Sequence, residues 1–115
     1  MSNQAISLLT LNIIASVAVP QHVAVTAAGV PGATNLYGVT TMAAAAGQSV
    51  PVDVIGTTPI TAGAAIPVGT QFVIADANGC AIAGGTAGAC LGRLVPGQYA
   101  SAAGDIVEVL LQLDI

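Results

Sequence analysis

The feature that most restricts how this chain can fold is a phrase it uses twice. Ala43 to Gly56 reads AAAAGQSVPVDVIG, and Ser101 to Leu111 reads SAAGDIVEVLL. In both, Ala-Ala-Gly and a polar residue precede apolar side chains at every second position. These are Val50, Val52 and Val54 in the first copy, and Val107, Val109 and Leu111 in the second. Successive side chains of a strand point to opposite faces, so strict alternation predicts a strand with one buried face. The Ala-Ala-Gly ahead of it predicts a tight turn, because glycine is free to take positive φ. Gly47 and Gly104 stand 57 positions apart, and Val50 and Val107 keep that spacing.

Further echoes surround these two. Leu36-Tyr37-Gly38-Val39 matches Cys90-Leu91-Gly92-Arg93 at a spacing of 54, and Ala28-Gly29-Val30 matches Asn78-Gly79-Cys80 at 50. A spacing that widens along the chain is what loop insertions in a duplicated unit produce. Two copies are too few for a solenoid, which needs about three or more repeats. The expectation is an all-β domain, a small barrel or sandwich built from two related halves. Residues 1–20 fall outside both copies and read as an N-terminal arm ahead of a β-rich domain over 21–115.

That arm is crowded with aliphatic residues: Ile6, Leu8, Leu9, Leu11, Ile13 and Ile14, then Val17 and Val19 before Pro20. The alternation slips phase at Leu8-Leu9, as at a β-bulge; a short amphipathic helix over Leu8 to Ile14 is the competing reading. So apolar a terminus must pack on its own domain or pair with another chain. The arm residues are therefore candidates for contact with a neighbouring subunit or a larger surface. The alternative is that the segment is simply the first strand of its own barrel.

The rest of the chain alternates short strand patterns with turn signals. Strands are predicted near 22–25, 36–39, 50–60, 71–75, 80–83, 91–94 and 106–113. Pro31-Gly32, Pro67-Val68-Gly69, Asn78-Gly79 and Pro96-Gly97 punctuate them, and Asn-Gly is a strong hairpin turn. Pro59 suits a strand edge, where its missing N–H breaks no ladder bond. Only the arm and residues 40–46 leave room for helix.

At 115 residues the chain makes one domain. Hydrophobic residues reach 55% and charged ones only 5%, against roughly 25% charged in typical domains. So little charge implies that much of the surface is covered by other chains. Net charge is −4 and Arg93 is the sole Lys or Arg, which excludes the cation clusters that hold nucleic acid or anionic membranes. Pro and Gly interrupt the apolar runs before the roughly 18 residues a spanning helix needs. Cys80 and Cys90 flank a glycine-rich loop and read as two half-buried thiols, although a disulfide is geometrically open to them.

No catalytic constellation is present. His22 has no motif around it and reads as a surface or interface histidine. Two cysteines and one histidine lack zinc-site spacing, and Asp76-Ala77-Asn78-Gly79 lacks the further acidic ligands of a calcium loop. Gly84 to Gly92 lacks the Gly-Lys-Ser/Thr ending of a phosphate loop. Asp53 and Glu108 read as matching polar positions of the two strands, solvated or paired with Arg93. No catalytic, metal or cofactor-binding residue is assigned.

In order, VTAAG (25–29), LYGV (36–39), AAAAGQSVPVDVIG (43–56), TAGAAIPVGTQFVIADANG (61–79), LGRLV (91–95) and SAAGDIVEVLL (101–111) resemble the capsid decoration, or cement, proteins of tailed bacteriophages. The resemblance covers roughly residues 23–113. It implies a virion structural protein rather than an enzyme, made in the host cytoplasm and carried on the outer capsid surface. It further implies a homotrimer whose partner is the major capsid protein, stabilising the expanded shell without cofactor, small-molecule substrate, nucleic acid or membrane. Ile6, Leu8, Leu9, Leu11, Ile13, Ile14 and Arg93 are the candidates for capsid or subunit contact. Two other readings compete: another phage structural part, such as a head-fibre base or tail component, and a small ligand-binding β module. The latter would need an aromatic platform, for which only Tyr37, Phe72 and Tyr99 are present.

Overall fold

Alternating apolar residues without helical periodicity leave the chain one way to bury them, and the described residues contain strands and no helix. The computed structural model describes residues 6–33, 36–85 and 90–111, with side chains from residue 10 onward. The strands are β1 (Ile6–Ile14), β2 (Ala24–Thr26), β3 (Leu36–Thr40), β4 (Ser49–Thr61), β5 (Phe72–Ala75), β6 (Ala81–Ala83), β7 (Gly92–Leu94) and β8 (Ile106–Leu111). They form one antiparallel sheet, ordered β2-β3-β4-β8-β7-β5-β6 with β1 also paired to β4, curled into a half-barrel. Every predicted strand is present. The helical alternatives for Leu8–Ile14 and for residues 40–46 are not.

β4 is the axis. Its Asp53 pairs with Thr10 of β1 on one edge and Val39 of β3 on the other, and its Thr57 pairs with Ile6 of β1 and Leu110 of β8. The first part of β4 thus closes one half of the molecule, and its second part opens the other. The registers make the duplication explicit. Ile14, Ile13, Leu11 and Thr10 stand opposite Ser49, Val50, Val52 and Asp53. At the same spacings, Thr61, Ile60, Thr58 and Thr57 stand opposite Ile106, Val107, Val109 and Leu110. β3 against β4 pairs Val39 with Asp53 and Thr40 with Val52; β7 against β8 pairs Arg93 with Leu110 and Leu94 with Val109. A methyl group on Gly38 would run into the carbonyl of Asp53, and one on Gly92 into that of Leu110, so both halves need glycine where these strands cross. Gly47 and Gly104 take φ of 85° and 96°, as turns before the two strands require.

This register changes the place of the N-terminal segment. Read above as an arm outside the repeat, Ile6–Ile14 is a strand hydrogen-bonded along β4, and its counterpart is the second part of β4 itself. The reason is that a strand so apolar leaves water most readily by pairing with the nearest exposed edge, here that of β4. The sheet therefore includes residues on both sides of the 20/21 division. The slip at Leu8-Leu9 is present as register shifts on either side of Leu9.

Each half has its own core, built from the same six positions. Ala15, Val19, Val25, Val50, Val52 and Val54 form one cluster; Ala62, Ile66, Val73, Val107, Val109 and Leu111 belong to the other. All six alternating residues of the two phrases are buried. β2 and β3 separate the clusters, because neighbouring side chains on a strand face opposite ways. Val25 points into the first core, whereas Ala24 and Val39 point into the second.

Candidate functional site

Ala24 and Val39 are the contact that joins the halves, so their counterparts mark the place where the repeat ends. Pairing of Ala24 with Val39 in β2–β3 corresponds to pairing of Phe72 with Arg93 in β5–β7. In the first half this face is sealed, with Ala24 and Val39 at 0% exposure and Asp53 beside them at 2%. In the second half it is open. Phe72 is half-buried, Arg93 is exposed, and Leu110, the counterpart of Asp53, is 41% exposed. The Arg93 guanidinium lies over the Phe72 ring, 5.1 Å from its centroid, in a cation–π contact that keeps its charge at the surface.

Around this row the chain forms a groove of about 670 Å³, with walls that include Val68, Gln71, Pro96 and Gln98 beside Arg93, Leu110 and Thr57. The Pro96-Gly97 turn shapes one wall: Gln98 N–H donates to the Val95 carbonyl at 3.1 Å, and its Oε1 accepts from the Glu108 N–H at 3.2 Å. Val68, also in the lining, is 68% exposed. Exposed aliphatic groups around one cation make a surface for protein contact rather than for chemistry. Among the described residues no three His, Cys, Asp or Glu side chains come together as metal ligands.

Several candidate residues are placed by this geometry. Arg93 sits in the groove. Leu11 and Ile13 are half-buried against the first core, and Ile14 is 60% exposed at the end of β1. The side chains of Ile6, Leu8 and Leu9 lie outside the described residues. The sequence offers Phe72 only as part of an aromatic platform and gives Val68 and Leu110 no contact role. Their signal is Leu110, a large apolar residue at an outward position between the buried Val109 and Leu111.

The polar residues are used differently from expectation. Asp53 is buried, and its carboxylate accepts hydrogen bonds from the hydroxyls of Thr10 at 2.8 Å and Thr58 at 2.9 Å. It is therefore neither solvated nor held by Arg93, because two threonines brought together by β1 and β4 satisfy it first. Glu108 is not its counterpart either: Glu108 stands where Pro51 stands, and both carbonyls accept at the end of a neighbouring strand, from Val95 and Thr41. Asp76 completes its own turn, Oδ1 accepting from the N–H groups of Asn78 and Cys80 at 2.9 and 3.0 Å. Cys80 and Cys90 are both half-buried and are not joined in a disulfide, and burial beside Asp76 pushes the Cys80 thiol up.

His22 occupies the junction between the halves. Its φ of 61° is the left-handed value that glycine supplies at its counterpart Gly69, where φ is 90°. Its carbonyl accepts from the Thr61 N–H at 2.8 Å, while Nδ1 is buried with no hydrogen-bond partner among the described residues. Burial lowers the imidazole below its usual 6.5, outweighing the attraction of Asp53. The unfolded chain then binds more protons than the folded one just below 6.5, so this group's contribution to stability is complete above that pH and declines below it. His22→Gly removes both the strained backbone and the titration. Thermal melts should show it stabilised by about 1 kcal/mol at pH 7, with the gap over the parent widening toward pH 5. A constant gap would show that the imidazole does not titrate differently on folding.

Comparison with known proteins agrees with this architecture. The N base of the head fibre gp8.5 of bacteriophage phi29 superposes with a TM-score of 0.62 at 12% identity, over 93% of this chain and 98% of that one. It shares the fold. No curated protein sequence matches. The family model described as phage cement protein matches residues 4–111, β1 included, where the resemblance above began only near residue 23. The chain belongs to the phage cement protein family and is a structural protein of the phage virion.

Proposed function

We propose that this protein decorates the outer surface of a phage head, where it sits on the major capsid protein as a homotrimer and stabilises the expanded shell. The family match over residues 4–111 carries the reading. The surface supports it: with 5% charged residues, exposed Val68, Tyr99 and Leu110 and an open groove, the molecule is suited to covering other protein. Burial of apolar area contributes roughly 25 cal/mol per Å², and contacts made by several linked copies reinforce one another through effective concentration. Purified protein added to expanded heads that lack it should bind and raise the temperature at which they release DNA. Heads that bind none, or bind it with no change in that temperature, overturn the reading.

The likeness to a head-fibre base favours a second reading, in which the chain forms the foot of a fibre. Electron microscopy of virions separates the two. A cement protein covers the shell as a regular layer, whereas a fibre base gives density only beneath fibres.

A further inference from the structure

The duplicated fold contains a docking event that its second half leaves unrepeated. Within the chain, the second half covers the outer face of the first: Ala24 and Val39 are buried in the second core, Thr58 donates to Asp53, and the Thr61 N–H donates to the His22 carbonyl. On the second half the same face carries Phe72, Arg93 and Leu110 and lines the groove. At the other end of the molecule the complementary surface is also incomplete. Thr58 and Ile60 are at 1% and 0% exposure, yet their counterparts Leu11 and Ile13 in β1 are only half-buried. The first half thus leaves its β1 surface partly uncovered, and the second half leaves the Phe72, Arg93 and Leu110 row open.

We infer that the groove takes a second copy of this chain, head to tail, with β1 of one copy covering the Phe72, Arg93 and Leu110 row of the next. Asp53 touches Thr58 inside the chain; the corresponding pair between copies is Leu110 of one and Leu11 of the other. The replacement of an aspartate–threonine contact by leucine against leucine fits an interface between chains, which gains from apolar burial and needs no buried charge satisfied. Such a contact joins two different surfaces and is heterologous, so it closes only as a ring. Closed at three copies, it gives the trimer of the proposed function. The inference shares with that reading the association of copies and adds which faces meet.

Two measurements test the faces. Leu110→Asp, at an exposed position, should still melt cooperatively as a folded chain, at a temperature that no longer depends on concentration, yet sediment as a monomer at concentrations where the parent is a trimer. In a background with Cys80 and Cys90 changed to alanine, Leu11→Cys and Leu110→Cys proteins should cross-link when mixed under oxidation, and neither should cross-link alone. A trimer that survives Leu110→Asp overturns the inference and leaves the cement reading standing. Cross-linking within Leu110→Cys protein alone does the same, because it marks like faces together. A monomeric parent that nevertheless decorates heads also overturns the inference alone. Trimers with these cross-links that fail to bind heads overturn the cement reading alone.

Discussion

Deletion of residues 2–14 should leave a chain that does not fold. β1 is the strand that this deletion removes, and three stabilising terms go with it. Leu11 and Ile13 pack against the first core, at about 1 kcal/mol or more each for partial burial. The Thr10 hydroxyl satisfies one oxygen of the buried Asp53, and hydrogen bonds to charged groups contribute about 1.5–3 kcal/mol. The edge of β4 along Ser49–Thr57 loses its ladder partner as well. Together these approach the roughly 5–15 kcal/mol that stabilises an ordinary domain. Circular dichroism and a thermal melt check the outcome: soluble protein lacking a cooperative transition is expected. A truncated chain with a parent-like melt would mean that β1 is a detachable arm after all.

The second large effect falls on the strands of the repeated phrase. Val52→Asp and Val109→Asp should each abolish soluble folded protein. Both valines are at 0% exposure, at the same position of the two cores. An isolated carboxylate at either site costs more than about 4 kcal/mol, because no cation or donor replaces its water. The aspartate in the neighbouring register shows the contrast. Asp53 is tolerated at 2% exposure because Thr10 and Thr58 supply hydroxyls to both of its oxygens. Expression followed by sedimentation and melting reads the result, and an unchanged melting temperature in either variant would mean that the buried face has been misidentified.

Family membership places the molecule on a phage particle, and the physical chemistry fits that setting. A chain with one Lys or Arg in 115 residues has little to keep it apart from its neighbours in solution. Its open groove concentrates exposed aliphatic side chains around that lone cation. Such a surface gains more from being covered than from being hydrated, as a component of an assembly requires.

The sequence by itself determined the strands, the turns before them and the six alternating core residues. These depend on periodicity and on backbone freedom within a few residues, so they are written locally. The duplication was legible for the same reason wherever both copies use glycine or alternating valine. It extends into the N-terminal segment, where Thr10, Ile13, Ala15, Val19 and Pro20 stand at the same intervals as Thr57, Ile60, Ala62, Ile66 and Pro67. Its second copy begins inside β4, where the first half is still ending, so the two halves share one strand. Only the tertiary structure decided what β1 pairs with, since an apolar strand can join any open edge and the sequence does not say which. It alone decided that Asp53 is buried, because the hydroxyls that satisfy it come from 43 positions before and 5 positions after. The same holds for the groove: Phe72, Arg93 and Leu110 are ordinary residues in the sequence, and they form one row because three strands cross in one register.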